Sequence, residues 1–147
     1  MLGAGEKMAQ AFLIGRILVG CFYLFNAFNL FAGATGAAAR AAAAHAVPMP
    51  TLAVLLAGLL LGVAGVSLLL GLYPEVGVAA LVLFFVPVTF VMHAFWADAD
   101  PMLRQIDKIN FAKNLALLGS SLMFLGVARP WPYSVERRLH LPVRATV

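Results

Sequence analysis

Few side chains in this sequence can do chemistry, and those few are grouped. Asn26 and Asn29, then His93 and Trp96, then Asn110, Lys113 and Asn114 are spaced three or four residues apart within each set, so each set shares one face of a helix. Amide, imidazole and ammonium groups around an apolar cavity are the donors that would hold a carbonyl-bearing ring such as the head of a quinone, its isoprenoid tail leaving through lipid-facing grooves. Histidine changes charge near neutral pH, so His93 could also relay a proton. The same residues have a plainer use, in which they bond one another and the loop carboxylates Asp98, Asp100 and Asp107 as interfacial anchors, with Trp96 at headgroup depth.

The elements that must position these groups are apolar blocks. Four of them, at about residues 9–32, 51–73, 76–96 and 112–127, carry charges only near their ends. Each approaches the roughly 20 helical residues needed to cross a bilayer core about 30 Å thick. Hydrophobic residues make up 63% of the 147, charged residues only 11%, and mean hydropathy is +0.97, which leaves too little polar surface for a soluble fold. The expected fold is all-α: one domain over 1–147, an integral membrane four-helix bundle with short interfacial helices in its first and third loops. The residues from 128 onward form a basic, aromatic tail.

That topology explains why the polar sets belong together. The end of the first span, the start of the second, the end of the third and the start of the fourth all meet at one membrane face. Asn26, Asn29, His93, Trp96, Asn110, Lys113 and Asn114 therefore converge there. Basic residues mark the cytoplasmic side. Lys7, Arg16, Arg129, Arg137, Arg138 and Arg144 lie on the side of the termini, against Arg40, Arg104, Lys108 and Lys113 opposite. Both termini are expected in the cytoplasm, the first span acting as an uncleaved signal anchor in a multi-pass inner-membrane protein.

The connections carry their own signals. Tyr73, Pro74 and Glu75 leave room only for a tight turn, which makes the second and third spans antiparallel neighbours. The Ala-rich run from Thr35 to Ala46, closed by Pro48 and Pro50, predicts a short surface helix. Asp100 before Pro101 is an N-cap and first-turn pair, and it predicts an interfacial helix through Met102, Leu103, Ile106, Ile109 and Asn110 that feeds the fourth span. Gly58, Gly62 and Gly65 form a stripe along which a neighbouring helix can approach closely, and Pro87 should kink the third span near Leu83. Arg16 is expected to snorkel outward, with Glu75 as its partner. Trp131 and Tyr133 with Arg129, Arg137 and Arg138 suit either an anchor on anionic lipid or a docking surface for a subunit.

Several classes are disfavoured. Cys21 is the only cysteine, so no intrachain disulfide or CxxC pair exists. His45, His93 and His140 are distributed so that no axial pair would face a haem, and no metal site or covalently bound cofactor is expected. Nucleotide-binding and hydrolase motifs are absent, and nothing indicates nucleic acid as a partner. No inverted repeat or pair of broken helices suggests a carrier of quinone or small solutes, the least favoured class.

Gly15 to Leu18 (GRIL), Ala46 to Pro50 (AVPMP), His93, Phe111 to Ala116 (FAKNLA) and Tyr133 to Arg137 (YSVER), taken in order, resemble the DoxX family. The resemblance implies a four-helix membrane protein of the kind that forms the small subunit of a terminal quinol oxidase or thiosulfate:quinone oxidoreductase. Arg16, His93, Lys113 and Asn114 fall on matching positions. Leu30 and Leu61 stand where the family often has a Lys and a Glu, and Glu75 stands in place of a basic residue. Losing the Lys and the Glu together is physically consistent, since either charge alone would be costly in lipid. The resulting expectation is a mainly structural accessory subunit, without catalytic residues of its own, that packs against a larger quinone-linked membrane complex. The alternative is direct quinone or quinol binding at His93, Lys113 and Asn114.

Overall fold

In the computed structural model, which describes residues 3–139, the chain is helical and the described residues contain no strand. His140 and Arg144 lie outside the described residues. Helix α1 (Ala4–Gly33) is followed by the short α2 (Ala37–Ala44), α3 (Pro50–Leu70), α4 (Pro74–Met92), α5 (Pro101–Met123) and a terminal turn of helix, α6 (Val135–Arg138). Among the described residues, α1, α3 and α4 are long and apolar enough to cross a membrane. Helix α5 has the length, at 23 residues, but Arg104, Asp107, Lys108 and Lys113 lower its hydropathy. This is a membrane protein, and the many large apolar side chains exposed along its helices, such as Phe25, Phe28, Leu56 and Leu83, would face acyl chains at no hydrophobic penalty.

The helices pack in chain order, α1 on α3, α3 on α4 and α4 on α5, while α2 rests on the start of α3. All three glycines of the α3 stripe face α1. A methyl group on Gly58 would meet the Phe31 ring at 3.2 Å, on Gly62 it would meet Ala27 Cβ at 3.9 Å, and on Gly65 it would lie 2.7 Å from Leu24 Cγ and 3.0 Å from Gly20 O. At the Gly20–Gly65 crossing a methyl group on either glycine would meet the backbone of the other helix at 3.0 Å, as one on Gly20 would meet Leu69 N. Tyr23, Ala27, Leu61, Ala64, Leu68, Leu81 and Phe85 form the core between α1, α3 and α4.

The turn between α3 and α4 is held from both sides. Gly71, in the left-handed region at φ +62°, ends α3, with Gly71 N–H bonded to Leu68 O and Leu72 N–H to Ser67 O. The Ser67 hydroxyl donates toward Leu72 O at 2.8 Å and Tyr73 O at 3.0 Å, and it packs on Gly77 of α4. Pro74 then occupies the first helical position, where its missing N–H costs nothing. Helix α4 continues through Pro87 to Met92.

Two connections differ from expectation. The interfacial segment before the fourth block is not a separate helix: Asp100 caps it, accepting from Met102 N–H at 2.7 Å and Leu103 N–H at 3.3 Å, and α5 then runs without a break to Met123. No Gly or Pro stands between Asn110 and Ala112, so the backbone has no reason to stop where the composition changes. The segment after α5 also folds back onto the bundle. Trp131 is 1% exposed, packed edge-on against Phe12 of α1 at 5.1 Å between ring centroids and beside Phe124 at 5.5 Å. Its ring is a core side chain and does not sit at headgroups.

Candidate functional site

A cavity of about 140 Å³ lies between α1, α3, α4 and α5, near the end of the bundle that carries the loop between α4 and α5. Its apolar walls include Tyr23, Leu61, Phe85 and Leu117, and its polar rim consists of Asn26, His93, Lys113 and Asn114. Four of the seven polar or aromatic residues expected to converge therefore line the cavity, while Asn110 is bonded to Lys113 but does not line it. Asn29 is exposed on α1, and Trp96, 57% exposed, packs edge-on against Phe95 and Phe111 outside the cavity.

The geometry follows from where each helix ends. His93 terminates α4, so its ring sits at the mouth of the cavity, and Nδ1 lies 2.9 Å from Asp107 Oδ1 on the first half of α5. Lys113 donates to Asn110 Oδ1 at 2.9 Å, one turn before it on the same helix. Asn26 donates to Phe22 O at 2.8 Å, which occupies one of its two amide N–H groups and leaves the other and its oxygen. Asn114 is 6% exposed, and its amide forms no hydrogen bond to another described residue. Asn114 lines the cavity, and its amide can both donate to and accept from a ligand there.

One side of the cavity is loosely closed. Helices α1 and α5 have no extended backbone contact. They are joined by the Tyr23 and Ser121 hydroxyls at 2.9 Å, both residues at most 1% exposed, while Ser121 also donates to Leu117 O at 2.7 Å. Exposed Phe22 and Lys113 flank this gap, which faces the surroundings of the bundle and not its interior. Sequence reasoning passed over Tyr23 and Ser121 because a lone hydroxyl in an apolar helix has no spacing signal.

At the opposite end the basic and acidic residues take partners other than those expected. Arg16 is 1% exposed and does not snorkel: it donates through Nη2 to Tyr133 O at 3.1 Å and stacks over Trp131 at 5.9 Å. Glu75 pairs with Arg129, not with Arg16, and Arg129 also holds the buried Glu136, through Nε at 3.0 Å and through Nη2. Arg16 and Glu75 thus both secure the returning C-terminal segment. A side chain at Gly71 would run into Arg16 and Ser134. Among the described residues, no three His, Cys, Asp or Glu side chains converge as metal ligands would.

The DoxX family model matches residues 11–94, more than half of the chain, from the first helix to just past His93. The chain belongs to the DoxX family. No match was found among curated proteins or among solved structures. Within this DoxX chain the three residues expected to depart from the family pattern have defined surroundings. Leu61 is a cavity wall, Leu30 packs against Ala34, Ala42 and Val54, and Glu75 joins Arg129. The matched region supplies three walls of the cavity, and Lys113, Asn114 and Leu117 come from α5 beyond it.

Proposed function

We propose that this DoxX protein is a small accessory subunit of a larger quinone-linked redox complex in the inner membrane, serving mainly to hold that assembly together in electron transport. The observation that carries this reading is the outer face of α5. Only Asn114 and Ser121 of its 23 residues are buried, yet the opposite face presents the small residues Ala112, Ala116 and Gly119, all exposed, and nothing lies within 4 Å of a methyl group built on Gly119. Small residues at this spacing let a second helix approach closely in lipid, as the glycines of α3 do toward α1. Helix α5 is also the least apolar of the four long helices, and a partner would shield it better than lipid.

Four crossings, with both termini in the cytoplasm, fit the same picture. Phe12 near the start of α1 packs against Trp131 beyond α5, and this return of the chain to the end from which it set out supports an even number of crossings. The excess of basic residues at that end supports its cytoplasmic placement.

A photo-crosslinking side chain at Ala116, introduced in native membranes, tests the accessory role. Transfer to a single protein partner is expected, with a label at exposed Leu56 on α3 going to lipid. Labelling of lipid alone at both positions would overturn the role.

A second reading has its own support, direct binding of a quinone head in the cavity by His93, Lys113 and Asn114. A void of about 150 Å³ lined by apolar side chains takes up one six-membered ring, and this cavity is of that size with polar groups at one end. Cavity binding and attachment to a complex use different faces of α5 and are compatible.

A further inference from the structure

We propose that the cavity selects the reduced, hydroxyl-bearing form of a single-ring ligand, a hydroquinone over a quinone, and that Asp107 sets this preference by fixing which nitrogen of His93 carries its proton. The inference rests on the reading of the cavity as a quinone-head site and adds the redox form that it favours.

The geometry of the pair leads to this directly. An ionised carboxylate can only accept hydrogen bonds, so Asp107 Oδ1, 2.9 Å from His93 Nδ1, requires that Nδ1 carry the hydrogen. In the neutral ring Nε2 is then a bare acceptor. His93 lines the cavity and Asp107 does not, so the carboxylate holds the ring from outside while the rest of the imidazole forms part of the wall. Both side chains are largely withdrawn from solvent, at 22% and 19% exposure, which limits competition from water. A ligand hydroxyl donates to such an acceptor. A quinone carbonyl, itself only an acceptor, faces a lone pair and leaves Nε2 unsatisfied.

The remaining polar groups are compatible with a hydroxyl at the same ring. Asn114 can donate or accept, and Lys113, already bonded to Asn110, supplies positive charge nearby that would favour a hydroxyl oxygen as its hydrogen leans toward His93. The ligand would come from the bilayer, because the loosely closed side between α1 and α5 is bordered by exposed Phe22 and by Leu117. Asp107 is a positioning residue here: it touches the imidazole and acts through it.

The test is equilibrium binding of 2,6-dimethyl-1,4-hydroquinone and of the matching quinone to the full chain in detergent micelles under anaerobic conditions. A Cys21→Ser background removes the exposed thiol to which the quinone would add. The hydroquinone should bind on the order of tenfold more tightly, the effect of leaving one partly sheltered acceptor unpaired. Asp107→Asn, whose amide can donate to Nδ1 and so shift the hydrogen to Nε2, should erase or reverse that ratio, and Asp107→Glu should restore it. Equal affinities in the unaltered cavity, or a preference for hydroquinone that survives Asp107→Asn, would overturn the inference while leaving quinone-head binding in place. Failure of both ligands to bind would overturn the cavity reading and this inference with it.

Discussion

Replacing Arg129 should detach the C-terminal segment from the bundle, and the size of the effect can be worked from the burial of its partners. Glu136 is 1% exposed and Arg129 13%, whereas Glu75 is 43% exposed. Arg129→Met leaves the Glu136 carboxylate in the interior without its cation, a loss of about 3–5 kcal/mol for a buried pair cut on one side. Docking of the segment is driven largely by Trp131, whose burial of roughly 200 Å² at about 25 cal/mol per Å² is worth at most about 5 kcal/mol. The two terms are of similar size, so the segment should come off in a large share of molecules. Glu75→Gln removes only the outer member of the triad and should cost about 1 kcal/mol or less. Arg129→Met combined with Glu136→Met, which removes both buried charges and keeps much of their volume, should recover most of the loss. Trp131 itself reports the result. In a Trp96→Phe background it is the single tryptophan, and its emission should shift to longer wavelength in Arg129→Met, stay near the original in Glu75→Gln, and return in the double variant. Equal shifts for Arg129→Met and Glu75→Gln, or a double variant worse than either, would refute the assignment of the latch to the buried pair.

Two further outcomes concern packing. Gly65→Val should force α1 from α3, since its first carbon alone would lie 2.7 Å from Leu24 Cγ, and overpacking of this kind costs about 1–3 kcal/mol; a thermal midpoint in detergent unchanged from the original would contradict the close crossing. Tyr23→Phe should cost about 1 kcal/mol and loosen α5 from α1, because Ser121 keeps its bond to Leu117 O while the link between helices is lost; faster amide exchange along the second half of α5 checks this, and unchanged exchange would show that the hydroxyl pair does not hold the gap.

Much of this fold can be read from the residues because apolar length and turn chemistry are local properties. The α3–α4 turn, the Asp100 cap and the short helix within the Ala-rich loop all rest on side chains acting on their own backbone within a few residues. The missed junction between interfacial segment and fourth span shows the limit: composition changes near Ala112, but helices end at caps and breakers, and none is present. Arg16 and Trp131 were misplaced for a related reason. Each looks like an interfacial residue when taken alone, and their burial depends on one another and on the return of a segment more than a hundred positions away. The candidate site was legible in the same partial way. Topology brought Asn26, His93, Lys113 and Asn114 to one end and put bonds to one another and to the loop carboxylates among the readings, and the His93–Asp107 and Lys113–Asn110 bonds are of that kind, whereas which of Asp98, Asp100 and Asp107 meets His93 depends on the rotation of α5, which no periodicity encodes.

The central claim is that this DoxX protein works as a subunit of a larger quinone-linked complex. Gentle detergent extraction from native membranes, native-size separation and mass spectrometry of the material migrating with the chain test it most directly. Comigration with a haem- or iron–sulfur-bearing assembly is expected, and it should be lost when Ala116→Trp fills the small-residue face of α5. Migration alone or as a small homo-oligomer, unchanged by that substitution, would contradict it.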